Sequence, residues 1–551
     1  MNTETIRIHP NDNAIVALTD MPAGAPVKDN GHEYTLTEPV PAKHKFAAAP
    51  LQPGDDIIMY GVLVGKAMHA IPQGGLLSVR NVQHASGGYA LGSRRTGWDA
   101  PDITTWRNKT FMGYHRPDGS VGTANYWLII PLVFCENHNV EVIHDAFIKE
   151  LGYRMHTSLQ QTQVQQLVSL YKQGKSQEEL LAADLGSSSG GTAGEQLFPN
   201  VDGVKLLTHT MGCGGIKDDT VALCGLLAGY ITHPNVAGAT VLSLGCQNAQ
   251  VSLLKQEIER RDSQFSKPLY ILEQQETGNE TVLLEKGIRY TFAGLVQANA
   301  IRRQPAPLSK LCVGLECGGS DGFSGISANP ALGHTSDLLV ALGGSVILSE
   351  FPELCGVEQE LSDRCVDEPA ATRFMDLMSK YHARAEAMGS GFYANPSPGN
   401  VRDGLITDAI KSAGAAKKGG TSPVVDVLDY PEKQRKPGLN LLCTPGSDIE
   451  STTAEVGSGA SIVVFTTGLG TPTGNPIAPV LKVSTNTALY NKMNDIIDLD
   501  AGTVISGEET IEQAGERILD LIIRTASGEY KARATFSGHD DFIPWKRGIS
   551  L

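Results

Sequence analysis

Cys312-Val-Gly-Leu-Glu-Cys317-Gly-Gly-Ser-Asp321-Gly-Phe-Ser-Gly-Ile-Ser-Ala-Asn-Pro-Ala-Leu-Gly-His334 is the stretch from which the rest of the chain is read. A short apolar run ends there in a thiol, paired glycines and an aspartate, as a buried strand does when it enters a functional loop. Gly318, Gly319, Gly322 and Gly325 permit positive φ or close approach of the backbone to a ligand. Glu316, Cys317, Ser320, Asp321, Ser324 and His334 add acceptors, a soft ligand and titratable groups. The competing reading is a glycine-rich turn in which Cys317 is a small core residue, since buried free cysteine behaves as a hydrophobe.

The same grammar recurs on both sides of this stretch. Tyr270 to Leu272, Leu311 to Leu315, Ser345 to Leu348, Leu439 to Cys443, Ser461 to Phe465 and Leu481 to Val483 are short apolar runs, each followed by a polar or glycine-bearing segment. Upstream, strand-like runs at Tyr126 to Val133, Val204 to Thr208 and Ala239 to Leu244 alternate with helical patterns at Gln160 to Tyr171 and Asp219 to Tyr230. Alternation of this kind predicts βαβ crossovers and largely parallel sheets. Before them, Ile6 to Ile8, Asn13 to Leu18, Asp56 to Leu63 and Gly75 to Val82 lie between Gly/Pro turns, as in a small all-β module. The expected fold class is multidomain α/β: a β module over 1–98, a linker over 99–110, and α/β units over 111–267 and 268–551. The second border is set where Arg260-Arg-Asp-Ser-Gln-Phe-Ser-Lys-Pro268 breaks the pattern. The polar stretch Gln83 to Pro101 is expected to be an exposed connection.

Composition narrows the function. The chain has 551 residues and a net charge of −15, which argues against a nucleic-acid partner, for which a basic stripe is expected. No apolar run reaches the length of about eighteen residues that a membrane span needs, and Met1-Asn-Thr-Glu-Thr-Ile-Arg-Ile8 has no basic, then apolar, leader; a cytoplasmic protein is expected. Nine cysteines scattered over such a chain are expected as free thiols. Leu185 to Gly194 lacks the helix-opening Lys-Ser/Thr of a P-loop, and no Gly-x-Gly-x-x-Gly follows a first strand, so neither a P-loop nor a nicotinamide cofactor is indicated.

Three cysteines follow predicted strands directly: Cys213 in Thr208-His-Thr-Met-Gly-Cys-Gly-Gly, Cys246 in Leu244-Gly-Cys-Gln-Asn, and Cys317; Cys135 is a fourth of the kind. In open α/β sheets ligands bind beyond the carboxyl ends of strands, and thiolates there suit iron or zinc. The spacing contains no CxxC pair, so their convergence stays open.

Taken together, the motifs resemble the altronate/galactarate dehydratase family, and its altronate branch most. They are Gly113-Tyr-His-Arg-Pro-Asp-Gly-Ser-Val-Gly-Thr-Ala-Asn-Tyr126, Thr208-His-Thr-Met-Gly-Cys213, His233-Pro-Asn, Leu244-Gly-Cys-Gln-Asn248, the Cys317 loop, Thr466-Thr-Gly-Leu-Gly-Thr-Pro and Lys482-Val-Ser-Thr-Asn-Thr. The β module resembles the family's SAF (β-clip) domain, including His44-Lys45. There are departures: Ser78-Val-Arg-Asn81 stands where the family commonly has His-x-His-Asn, and Ala124 where it commonly has arginine. The resemblance implies a hydro-lyase converting D-altronate to 2-dehydro-3-deoxy-D-gluconate and water, with Fe2+ (or Mn2+ or another divalent metal, an iron-sulfur cluster being the open alternative). It further implies a small-molecule sugar acid as partner and a homo-oligomer. Galactarate or a β-substituted acid such as sulfolactate is the alternative substrate, and a sugar-acid-binding protein without turnover the alternative class.

That chemistry assigns roles. A proton α to a carboxylate is weakly acidic, so a cation must stabilise the enediolate while a base removes the proton. Cys213, Cys246, Cys317, Glu316 and Asp321 are the expected metal ligands. His209, Glu350 and Lys482, at or just past predicted strand ends, are the expected proton-transfer groups; His44, Arg116, Ser320 and Asn329 are expected at the substrate, with Arg402 a further carboxylate clamp.

Overall fold

The computed structural model describes residues 4–29, 31–153, 159–185 and 196–550; residues 186–194, the body of the segment read as a loop without P-loop character, lie outside them. The amino-terminal module is all-β. Thr5–Ile6, Ala14–Ala17, Lys45–Ala47 and Leu76–Leu77 form one antiparallel sheet, and Asp56–Met59, Val62–Ala67 and Val82–Gln83 another. The apolar run Asp56 to Leu63 is two strands, because Tyr60 and Gly61 take φ of 59° and 77°, the geometry of a primed hairpin turn. The buried Asp12 carboxylate holds that turn, accepting from Tyr60 N at 3.1 Å and Gly61 N at 2.8 Å.

The second unit is a parallel sheet in the order Gly203–Leu206, Tyr126–Pro131, Val236–Ser243, Leu269–Glu273. Val236–Ser243 is buried along its whole length, as expected of a parallel strand covered on both faces. Leu269–Glu273 pairs with Ala239–Ser243, and the helix Glu280–Ala298 packs on the same sheet. The border expected at 268 falls just before a strand of this same sheet, Leu269–Glu273, with Pro268 immediately preceding it.

The carboxy-terminal unit is a seven-stranded parallel sheet in the order Val424–Leu428, Gly438–Leu442, Ser345–Leu348, Cys312–Cys317, Ile462–Thr467, Val480–Ser484, Leu499–Asp500. Cys312–Cys317 is its central strand, buried throughout. The chain leaves that strand toward Ser345–Leu348 on one side, and later fills the other side from Ile462–Thr467 outward. This is a topological switch point, where the loops beyond the strand ends diverge and leave a crevice.

The units do not stand apart. Buried residues of the β module, such as Val16, Ile57 and Val64, belong to the same apolar core as Leu315, Leu348 and Ile410. The expected linker is also tied down: Trp106 is buried in that core, Arg94 Nη1 donates to Ser362 O at 2.7 Å, and Trp98 Nε1 to Thr421 Oγ1 at 3.2 Å. The stretch from 84 to 101 is a strap across the carboxy-terminal unit, its polar composition reflecting bonds to that surface.

Candidate active site

Cys317 ends the central strand, and Ser349-Glu350 follows the neighbouring one, so the sheet register brings their loops side by side. Glu353 follows in a short 3-10 turn, Phe351–Leu354. Cys317 Sγ lies 3.7 Å from Glu350 Oε2 and 3.5 Å from Glu353 Oε2. Lys418 Nζ reaches in from the segment after the helix Asp408–Ala415, 2.9 Å from the sulfur and 3.0 Å from Glu350 Oε2. Lys411 Nζ pairs with Glu353 Oε1 at 2.6 Å. Asp448, which opens the helix Asp448–Ser458, completes a second acidic face with Glu316 and Glu350. Glu455 lies behind it, accepting from Ser349 Oγ at 2.7 Å and Leu315 N at 3.1 Å. Gly318 is required here: a Cβ at that position would lie 2.0 Å from Asp448 Oδ2.

The electrostatics follow from burial. Five carboxyls and a thiol face two lysines, and removal from water disfavours every charge among them. Burial, then the charges of Glu350 and Glu455, push Glu316 well above its ordinary value. Glu350 is raised by burial and by Glu353, Asp448 by burial and Glu350 to about 7, and Glu455, chiefly by burial, to about 8. Burial also works against Glu353, yet Lys411 and Lys418 outweigh it and hold that carboxyl below its ordinary range. Burial alone would discharge Lys418, but the thiol and carboxylates around it hold it firmly protonated. The Cys317 thiol is pushed up by burial.

Two features mark this cluster as the candidate site. Glu350 adopts the left-handed conformation, φ 63° and ψ 60°, which a non-glycine residue keeps only when its surroundings hold it there. Its Oε1 is buried with no hydrogen-bond partner among the described residues, as is Glu455 Oε2. Buried acids in excess of their counter-charges stay protonated, as these raised values show, unless a cation takes the place of the protons. The ligand atoms of Cys317, Glu350 and Glu353 lie within 4.8 Å of one another, and so do those of Glu316, Glu350 and Asp448. Glu350 belongs to both sets. The first, with its thiol, suits a borderline metal such as iron or zinc; the second, all oxygen, suits a harder one.

The other expected site residues fall elsewhere. Cys213 and Cys246 are exposed on loops beyond the second unit's sheet, bridged by Asn248 N donating to Cys213 O at 3.2 Å. No close ligand group among the described residues includes either of them. Asp321 is saturated: Oδ1 accepts from Thr485 Oγ1 at 2.9 Å, Phe323 N at 3.1 Å and Ser324 Oγ at 3.2 Å, while Oδ2 pairs with Lys43 Nζ at 3.0 Å. It anchors the β module instead of joining a ligand group. His209 has both ring nitrogens engaged, Nε2 with Pro131 O and Nδ1 with Met211 N, and burial lowers it to about 4. Lys482 donates to Thr473 O and is lowered to about 8, mainly by burial. Arg116 is buried against Pro234 O and Asn125. Asn329 links Thr466 and Gly414. The carbonyl of Ser320 receives Asn400 Nδ2 at 2.7 Å.

His44 lines a cavity of about 400 Å³ at the junction of the β module and the carboxy-terminal unit, with Glu38, Ser78, Arg80, Asn81, Val401 and Ile406. Ser78 to Asn81 is the very segment that departs from the family pattern. The neighbouring Lys43 carbonyl packs so closely on the glycine-rich loop that a Cβ at Gly322 would lie 2.2 Å from it. Glu353, Asp448, Lys411 and Lys418 were not among the expected site residues. Glu353 alone carried a signal, three residues beyond Glu350 after a strand; Lys411, Lys418 and Asp448 lie 61, 68 and 98 residues beyond Glu350 and nothing local marks them.

Comparison with known proteins agrees with this architecture. The SAF domain of altronate/galactarate dehydratases matches residues 3–85, the second domain of D-galactarate dehydratase/altronate hydrolase 113–299, and the D-galactarate/altronate dehydratase C-terminal domain 308–550. Altronate dehydratase of Escherichia coli (strain K12) is 33% identical over 550 residues, 99% of both chains. Altronate dehydratase of Bacillus subtilis (strain 168) is 33% identical over 95% of both, and galactarate dehydratase (L-threo-forming) of E. coli (strain K12) 32% over 97% of this chain and 94% of that one. The protein is thus a hydro-lyase of the sugar-acid dehydratase class. It belongs to the altronate/galactarate dehydratase family. No helix among the described residues is long and apolar enough to cross a membrane.

Proposed function

We propose that this chain dehydrates D-altronate to 2-dehydro-3-deoxy-D-gluconate, using a divalent cation held by Glu350 with Cys317 and Glu353 or with Glu316 and Asp448. The orphaned Oε1 of Glu350, within a cluster richer in acids than in lysines, carries the reading. A mixed thiolate and carboxylate set fits Fe2+, with Mn2+ suited to the all-oxygen face. When bound, the cation supplies Lewis acidity that stabilises negative charge developing on the substrate carboxylate.

The protein's own groups do the rest. Lys418 and Lys411 stay charged and keep the buried acids from repelling one another apart. The acid substrate is received in the cavity beside His44, where Arg80 attracts its carboxylate. Burial holds His44 below its ordinary value, hence neutral at pH 7. Its Nδ1 donates to Ala42 O at 3.2 Å, which leaves Nε2 as the basic nitrogen. His44 is the proposed proton-handling group: its Nε2 takes the α-proton and returns it to the departing C3 hydroxyl, which leaves as water, while Glu350 is kept for the cation.

The test is turnover by chelator-stripped protein restored with Fe2+ or Mn2+ under reducing conditions, followed as formation of the 2-keto-3-deoxy acid. Full activity without metal overturns the cation's role. Turnover of galactarate or sulfolactate in place of altronate overturns the substrate.

A further inference from the structure

A second ligand group lies outside this cluster. His84 follows the last strand of the β module, Cys355 ends the 3-10 turn Phe351–Leu354, and Asp408 opens the helix Asp408–Ala415. One ligand atom from each lies within 4.8 Å of the other two. Asp408 is 1% exposed, and its Oδ2 has no N–H or O–H donor among the described residues. Nδ1 of His84 is also buried without a partner among the described residues. The Cys355 thiol is the hydrogen-bonding neighbour of the Asp408 carboxyl, buried polar atoms left without a stronger partner are costly, and imidazole, thiol and carboxylate together form the donor set that borderline divalent metals prefer.

We propose that His84, Cys355 and Asp408 bind a divalent cation of the zinc type, distinct from the one assigned to Glu350. Binding forms a metal–sulfur bond and releases the Cys355 proton to solvent. The site joins three segments that meet only in the tertiary fold. His84 begins the strap that continues through Ala90, whose N donates to Gln359 Oε1 at 2.9 Å, and Arg95, whose N donates to Asp363 O at 2.6 Å. Thr407, next to Asp408, donates to Val64 O of the β module at 2.8 Å. Cys355 lies two residues beyond Glu353. The cation therefore clamps the β module and its strap onto the loop that presents Glu350 and Glu353, a structural role set apart from the chemistry.

The test uses the full chain carrying Cys317→Ser, which removes the other buried thiol that a metal would meet. Stripped of metal and given Co2+, it should show thiolate-to-cobalt charge-transfer absorption, and adding His84→Ala or Cys355→Ser should abolish that band. In otherwise wild-type protein, Zn2+ should protect Cys355 from alkylation, read by mass spectrometry, and His84→Ala should remove the protection. This second measurement keeps the proposal falsifiable if a double variant fails to fold. A cobalt band indifferent to His84 and Cys355, or alkylation of Cys355 at the same rate with and without Zn2+, overturns the proposal. Loss of altronate turnover alone bears on the Glu350 cluster and leaves this outcome unchanged.

Discussion

Cys213 and Cys246 in the second unit and Cys317 in the third occupy the same topological position, just past a parallel strand, yet their surroundings are opposite. Cys213 and Cys246 are exposed, and no close ligand group among the described residues includes them. Cys317 is 1% exposed, between two glutamates and a lysine. A strand end makes a ligand available, but a site forms only where neighbouring strands deliver complementary groups and exclude water. Low dielectric then makes each unpaired charge expensive enough to demand a partner.

The largest expected contrast is in metal content and turnover. Cys317→Ser should lower bound divalent metal and abolish altronate dehydration with the fold retained, because a hydroxyl replaces a thiolate poorly. Cys213→Ser and Cys246→Ser should leave both at wild-type levels. Elemental analysis beside a turnover assay decides, and equal losses from all three variants would erase the contrast.

Next in size is the counter-charge. Lys418→Met leaves buried acids uncompensated and should cost about 3 to 5 kcal/mol of stability, whereas Lys217→Met, on the exposed start of a second-unit helix, should stay within about 0.5 kcal/mol. Urea unfolding measures both; a Lys418 variant as stable as wild type would show that the cluster carries no net charge to balance.

Docking of the β module comes third. Gly322→Ala must displace the Lys43 carbonyl and should destabilise by about 1 to 3 kcal/mol, with earlier proteolysis at the module junction. Gly212, beside Cys213, has open space where a Cβ would go, and its alanine variant is the control. Equal stability of the two would mean that the close approach is readily relieved.

The smallest effect is in pH dependence. Glu455 is raised to about 8 in the folded state, so the folded protein holds its proton more tightly than the unfolded chain does. Its contribution is complete below the ordinary glutamate range and fades as pH rises toward 8. Metal-free wild type should therefore lose thermal stability between pH 5 and about 8 more steeply than Glu455→Gln. Parallel melting curves across that window would remove Glu455 from the balance.

Much of this was legible in the sequence because it is local. Apolar runs of strand length alternating with helical patterns predict parallel sheets, and the Cys317 loop announces itself by placing thiol, carboxylate and glycine after one strand. Glu316, Cys317 and Glu350 were expected for that reason, and the structure brings them into one cluster. Asp321 was expected at the metal for the same reason: a carboxylate in a glycine-rich loop looks available, and nothing local shows that Thr485 and Lys43 engage it.

The sequence by itself determined the class of sheet, the strand ends at which chemistry can sit, and the thiol, carboxylate and glycine content of the central loop. These depend on side-chain periodicity and backbone freedom over a few residues. Only the tertiary structure decided that Lys411, Lys418 and Asp448 gather around Glu350, that Cys213 and Cys246 stay outside, and that the β module closes over Gly322. Those outcomes rest on strand order and on contacts such as Lys418 to Cys317, 101 residues apart. A pairing over that distance is chosen by the packing of whole layers, and no short stretch of chain encodes it.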